Sequence, residues 1–416
     1  RASTADMGSA KAIYEPLFEP DICHFTPPHG HEVECGYLVV PENRNKVDSP
    51  SIRIHVAIFE STSPDPKPDP VIYVAGGGGV NQVAFSEHYL NNGGNDILRD
   101  RDYIMYNQRG AKYSDPHLTC PGHTDLNLDI VQNQLPAAEA DALQVDFAAS
   151  CSTDLSAEGW DLNMYTSAVN AADLNDIRQA MGYEEINIYG TSYGTRLALA
   201  VLRDYPEIIR SAILDSVYPP QVGFFSEFAF NAYQAFTRVF ETCAADENCR
   251  VSYPNPEEQL SQVVADLNAD PRSMTYGGNT LYYDGGDFLD TVYLFPYAHL
   301  ADMLPYVIHR ASLGDFQYVE EFMSFTLEVK PSDTIAEGTQ NSILCREEIP
   351  YETHQGLLEI GETIPAHYLQ PYQSDLPWQI CDVWGVDPAD PIVNEPVSSD
   401  VPTLILAGSF DPITPV

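Results

Sequence analysis

Residues 186–196, Ile-Asn-Ile-Tyr-Gly-Thr-Ser-Tyr-Gly-Thr-Arg, join an apolar strand to a helical run with only a glycine-flanked serine at the junction. A turn that tight would drive side chains into the neighbouring strand and helix, so Gly190 and Gly194 are needed on either side of Ser192. The Ser192 hydroxyl is lifted from the strand end into a cleft, over a helix amino terminus that favours negative charge. Gly-x-Ser-x-Gly also arises by chance as a glycine-rich turn before a helix. Here the strand before it and the helix after it, both required by the chemistry, are legible. The stretch predicts Ser192 as a nucleophile held at a strained strand-to-helix elbow.

The rest of the chain fits a sheet that could carry such an elbow. Residues 36–40 and 52–59 alternate as an antiparallel hairpin with one wet face. Residues 71–75 form an apolar strand that ends in Gly76, Gly77, Gly78 and Gly79, and residues 103–106 form another. Residues 168–182 carry helical spacing, with Ala171, Leu174, Ile177 and Met181 on one side. Residues 212–215 are a further strand. Short apolar strands alternating with helices predict a mostly parallel sheet covered on both faces, the α/β class. After Pro219-Pro220 the rhythm stops. Residues 221–395 are rich in aromatics, with helices expected at about 224–243, 256–268 and 299–312. A buried strand returns at 401–408. The expected organisation is a core over 1–220, an inserted helical cap over 221–395 and a return to the core over 396–416; two independent domains are the alternative.

A serine hydroxyl needs a base to take its proton and an acid to orient that base, in the chain order Ser, Asp, His for this kind of elbow. Asp411, in Gly408-Ser409-Phe410-Asp411-Pro412-Ile413-Thr414-Pro415, is the expected acid, because it follows a core strand at the end where α/β sheets place functional groups. A plain Asp-Pro turn is the bland reading. The oxyanion of an acyl-transfer intermediate needs two preorganised N–H donors. The Tyr193 backbone is one; Gly77 and Gly78 are the candidates for the other. All eleven histidines precede Asp411. The expectation is that the final strand, the catalytic histidine and the last helix lie outside the sequence shown, on a continuation or a separate carboxyl-terminal segment.

Charge and cysteines bound the setting. Acidic residues number 61 against 20 basic, a formal net charge of −41. Such a field repels phosphate, so nucleic acid and anionic membrane surfaces are poor partners, and no nucleic acid partner is expected. It suits a halophilic or marine source, or an ordinary acidic secreted enzyme. No apolar run is long enough to span a bilayer. The eight cysteines fall into near neighbours, Cys23 with Cys35, Cys120 with Cys151, Cys243 with Cys249 and Cys345 with Cys381. An even count at short separations predicts four disulfides and a secreted or periplasmic setting, with the connectivity left open. Neither a Cys-x-x-Cys nor a His-Glu-x-x-His pattern is present, and His29-Gly30-His31-Glu32 reads as a solvated loop; no metal or cofactor is expected.

The chain resembles the secreted α/β hydrolases grouped with proline iminopeptidase and tripeptidyl aminopeptidase. The resemblance rests on Glu34-Cys35-Gly36-Tyr37 in the opening strand, the glycines 76–79, Asn107-Gln108-Arg109-Gly110, Ala172-Asp173-Leu174, Tyr193-Gly194-Thr195-Arg196, Leu214-Asp215-Ser216-Val217, Cys345-Arg346-Glu347-Glu348 and Asp411-Pro412 with Thr414-Pro415. It departs from the family at Gly78, which stands for a proline, at Asn107 for an aspartate and at Lys112 for a glycine. The resemblance implies an α/β-hydrolase fold with an inserted helical cap. It also implies a serine hydrolase working through an acyl-enzyme, an exopeptidase on small peptides with free amino termini. Glu347 and Glu348 would grip the substrate ammonium, while a solvated face is the bland reading of any one glutamate in so acidic a chain. A carboxylesterase on small esters and a hydrolase scaffold that only binds a ligand are the alternatives.

Overall fold

The computed structural model describes residues 14–328 and 334–416. Ten strands form among them: β1 (Leu17–Asp21), β2 (Val33–Pro41), β3 (Ser51–Phe59), β4 (Val71–Val74), β5 (Tyr103–Tyr106), β6 (Ile186–Thr191), β7 (Ile209–Asp215), β8 (Arg272–Tyr276), β9 (Asn279–Tyr283) and β10 (Thr403–Leu406). Eight join one sheet in the order β1-β2-β3-β5-β4-β6-β7-β10. Pairing is antiparallel from β1 to β5 and parallel from β5 through β10. From β4 the chain steps outward to β5, then returns through helices to β6 on the other side of β4. That reversal opens a crevice between the carboxyl ends of β4 and β6, the place where open α/β sheets bind ligands.

The central parallel strands β4 and β5 are buried on both faces, which explains their continuous apolar runs. All four residues of β4 and of β5 are buried. Helices α1 (Ala137–Ala157), α2 (Ser167–Ala180) and α3 (Tyr193–Asp204) follow β5 and flank β6. Leu174 and Ile177 of α2, Leu197 and Val201 of α3, and Ile72, Val74, Ile104 and Ile188 of the strands meet in one core. The wet face expected of the 36–40/52–59 hairpin is absent: one face of β3, with Ile52, Ile54, Val56 and Ile58, packs into the core with α2, and on the other His55 is fully buried beneath His24, Phe25 and Tyr113.

The segment after β7 is mainly helical, with α4 (Phe224–Ala245), α5 (Pro256–Ala269), α6 (Gly285–Tyr297) and α7 (Leu304–Ser312) around its own core of Phe236, Leu260, Phe288 and Val307. Several elements here were not expected, among them the helices Gln317–Glu328, Glu337–Glu347, His354–Gly361 and Leu376–Trp384. Helix α6 precedes the helix read at 299–312, and β8 and β9 form a hairpin closed by Gly277 and Gly278, both at positive φ (56° and 86°). Residues 337–395 do not belong to that helical body alone. Helix α8 (Glu337–Glu347) sends Ile343 into the sheet core, and α9 (Leu376–Trp384) packs on α1. The Cys345–Cys381 bridge joins these two helices beside the Cys120–Cys151 bridge on α1. The other two disulfides are Cys23–Cys35 and Cys243–Cys249.

Candidate active site

Ser192 sits between β6 and α3 at φ 54°, ψ −124°, a conformation that costs of order 1–3 kcal/mol for a side-chain-bearing residue. Neighbouring groups hold it there. Its N–H donates to the Asp215 carbonyl at 3.0 Å, and its own carbonyl accepts from the Thr195 N–H and hydroxyl at 2.8 and 2.6 Å. The flanking glycines permit the packing. A Cβ at Gly190 would fall 2.4 Å from the Gly194 carbonyl oxygen, and one at Gly194 would fall 2.0 Å from that of Val74. Both obstacles are backbone and cannot move aside. The residue is half-buried, at the carboxyl end of β6.

The glycine loop after β4 lies against this serine. A Cβ at Gly76 would come 2.9 Å from the Ser192 Cβ and 3.3 Å from its Oγ. Gly77 and Gly79 take φ of 85° and 79°, the left-handed region that glycine tolerates. The outer edge of the loop is clasped by the stretch leading into α8. Ala336 donates to the Gly79 carbonyl at 3.0 Å, Asn81 donates to the Thr334 carbonyl at 2.7 Å, and Val80 pairs with Ile335. Ile343 of α8 fills the space beside Gly78; a Cβ on Gly78 would come 2.7 Å from its Cδ1. The Tyr193 N–H belongs to the first turn of α3, where amides have no acceptor within the helix.

Asp411 lies in the loop after β10. In register, Thr191 pairs with Asp215 and Asp215 with Leu406, so β6, β7 and β10 leave the sheet at one level. Two strand spacings, about 10 Å, separate β6 from β10. Asp411 Oδ1 accepts from the N–H groups of Ile413 and Thr414 at 2.9 Å each, and Oδ2 from the Thr414 hydroxyl at 2.8 Å. These bonds fix the carboxylate and leave lone pairs free for a base. The charge faces α6: burial first, then Asp411, raises the Tyr293 and Tyr297 hydroxyls above the ordinary tyrosine range.

Glu347 and Glu348 are both buried, beside Arg196 of α3. Glu347 accepts from the Ser167 N–H at 2.7 Å and hydroxyl at 2.6 Å, and the Ser167 hydroxyl also meets the Tyr193 phenol at 2.8 Å. Glu348 Oε1 stands 3.1 Å from Arg196 Nε, and Oε2 accepts from the Tyr218 hydroxyl at 2.5 Å. Burial pushes the Glu348 carboxyl up to about 8, against the opposing pull of Arg196 and the Tyr218 hydrogen bond. Tyr218 connects back to the elbow, its N–H donating to Thr195 Oγ1 at 2.8 Å. Arg196, Tyr218 and Ser167 were not singled out from the sequence; Arg196 was visible only as part of the motif beside the elbow.

Other motif residues are struts. Arg109 and Asp173, both fully buried, form a two-bond pair, with Arg109 Nε and a terminal nitrogen each 2.7 Å from Asp173 oxygens. Burial pushes the Asp173 carboxyl up, but Arg109 and Arg44 together outweigh it and hold it below the usual carboxylate range. His88, His123, His309 and His354 are hydrogen-bonded to Asn92, Asn127, Gln259 and the Gln373 carbonyl. Among the described residues there is no group of three or more His, Cys, Asp or Glu that could hold a metal, and no helix long and apolar enough to cross a membrane.

Residues 69–248 match the family model for the alpha/beta hydrolase fold, and residues 366–416 match that for a TAP-like protein. Tripeptidyl aminopeptidase of Streptomyces lividans is 27% identical over 196 residues, covering 45% of this chain and 36% of its own length. The match thus spans about a third of that relative. Serine protease Hip1 of Mycobacterium tuberculosis is 22% identical over 415 residues, 92% of this chain and 76% of its own. The crystal structure of proline iminopeptidase from Mycobacterium smegmatis is 14% identical, with a TM-score of 0.36 over 90% of this chain and 82% of that one.

Proposed function

We propose that this chain, whose residues 69–248 match the alpha/beta hydrolase fold, is a serine peptidase that acylates Ser192 and releases amino acids or short peptides from free amino termini. The observation that carries the reading is the Ser192 backbone, strained at φ 54° and touching the glycine loop after β4. The names of the relatives, tripeptidyl aminopeptidase and serine protease, agree with it.

In this mechanism Ser192 Oγ attacks the scissile carbonyl and its proton passes to a base. The carbonyl oxygen becomes an oxyanion held by the Tyr193 N–H and an N–H of Gly77 or Gly78. The amine leaves with the proton, and water then hydrolyses the acyl-enzyme. Asp411 orients the base. The four disulfides support a secreted or periplasmic setting.

Glu348 is the carboxylate proposed to meet the substrate ammonium, since Glu347 is occupied by Ser167. That occupation, with Glu348 itself engaged by Arg196 and Tyr218, favours a second reading, a carboxylesterase with an apolar acyl site. Peptidyl aryl amides with free and blocked amines, compared with short-chain aryl esters, separate the two. Preference for the free amine supports the exopeptidase; ester turnover that ignores the amine supports the esterase.

A further inference from the structure

We propose that Tyr293 of helix α6 is a positioning residue for Asp411, and that Arg238 of α4 shares the task. The inference rests on the reading of Asp411 as the acid that orients the base. An acid does this only if its carboxylate is held in one place before the reaction begins. The bonds from Ile413 and Thr414 fix the Asp411 carboxylate within its own turn. They do not fix the turn against the rest of the molecule.

The helical segment does that. Tyr293 Oη donates to the Pro412 carbonyl at 3.1 Å, and a terminal nitrogen of Arg238 donates to the Ser409 carbonyl at 3.1 Å. These carbonyls stand on either side of Asp411. Phe410 and Ile413, the apolar side chains of the turn, pack against the helical core that holds Phe236, Phe288 and Val307. On the sheet side the Ser216 N–H donates to the Leu406 carbonyl at 3.0 Å, well before Asp411. The acid is therefore carried out from β10 and pinned by α4 and α6, where cap and core meet.

Tyr293 suits the role. It is 4% exposed, and its ring is wedged against Phe228 and Tyr372 at centroid distances of 5.0 and 6.3 Å. The hydroxyl is thus aimed by packing. Pro412 is buried, so its carbonyl needs a donor from the protein. Burial first, then the Asp411 charge, raises the Tyr293 hydroxyl and keeps it a protonated donor through neutral pH.

The test uses the full chain carrying Tyr293→Phe, alone and together with Asp411→Ala. Phenylalanine keeps the ring and removes the donor. Tyr293→Phe is expected to lower kcat about ten-fold on a short-chain aryl ester and a peptidyl aryl amide. KM should stay within about two-fold, because the acid and not the substrate is displaced. In the Asp411→Ala background the same change should alter the rate less than about two-fold, since a group that acts through the carboxylate has nothing left to act on. Where turnover is too slow to follow, the rate of Ser192 labelling by a fluorophosphonate is read instead. Arg238→Met should behave alike with a smaller loss, about three-fold, its contact being exposed to water.

Hydrogen exchange at Ile413 and Thr414 is the second readout. It should accelerate in Tyr293→Phe while the amides of β6 and β7 keep their protection. Wild-type kcat in Tyr293→Phe, a loss carried by KM, an equal fractional loss with and without Asp411, or unchanged exchange would each overturn the proposal. Wild-type turnover in Asp411→Ala alone would instead sink the acid reading, and exchange at residues 413 and 414 would still judge whether Tyr293 holds the turn.

Discussion

Gly194 stands so close to Val74 that a Cβ on residue 194 would lie 2.0 Å from the Val74 carbonyl oxygen. This contact presses the first turn of α3 against the end of β4 and so brings the elbow and the glycine loop together. Gly194→Ala forces two backbones apart. We expect at least about 2 kcal/mol of lost stability, read as a lower urea midpoint, together with loss of turnover.

The Arg109–Asp173 pair ties the loop after β5 to α2 without exposure to water. Removing one partner strands the other as a buried charge, so Asp173→Ala should cost about 3–5 kcal/mol. Because the folded state holds the Asp173 carboxyl below its ordinary value, this stabilisation is complete above pH 4 or so and is lost as the pH falls through the folded value. Acid unfolding curves of wild type and variant should converge at low pH.

His55 gives a second acid-sensitive element. It is fully buried, ringed by His24, Phe25, Tyr37 and Tyr113, and neither ring nitrogen has a hydrogen-bond partner. Burial lowers its pKa from 6.5 to about 4, with His24 adding to the shift and Asp21 opposing it. The unfolded chain takes up a proton across that window and the folded chain does not, so stability should fall as the pH drops from 6.5 to about 4. His55→Phe should flatten the unfolding free energy over that range.

Much of this arrangement was legible in the sequence, for identifiable reasons. Residues 71–74 are apolar without interruption because β4 is covered on both faces, while β6 carries the buried Asn187, bonded to Asp69 and Ser211; the glycines of the elbow are dictated by backbone contacts. The hairpin of β8 and β9 was missed although Gly277-Gly278 between Thr- and Tyr-rich runs is a hairpin signal. Helix α6 was missed because Phe288, Leu289, Val292, Tyr293 and Phe295 leave little polar contrast to reveal a period. The wet face assigned to β3 failed because α2 covers one of its faces and His24, Phe25 and Tyr113 the other, long-range contacts that alternation along a single strand does not reveal. Gln108 was read only as part of a motif; its bonds to the Gly79 N–H and the Gly77 carbonyl depend on β5 and β4 being adjacent, which periodicity does not reveal.

Glu348 and Glu347 separate by mutation. Glu348→Gln should raise KM for free-amine peptide substrates by about ten-fold or more, the worth of one charge-assisted contact, while blocked substrates change little. Glu347→Gln should act on stability instead, since its carboxylate binds Ser167. Equal effects of Glu348→Gln on free and blocked substrates would remove it from the ammonium site.

The central claim is that Ser192 presents an attacking oxygen from the elbow. The direct measurement is to treat the full chain, and Ser192→Ala, with a fluorophosphonate and locate the adduct by peptide mass spectrometry. The account predicts one stoichiometric adduct on Ser192 and none in the alanine variant with its fold intact. An adduct on another residue, or wild-type substrate turnover surviving in Ser192→Ala, would contradict it.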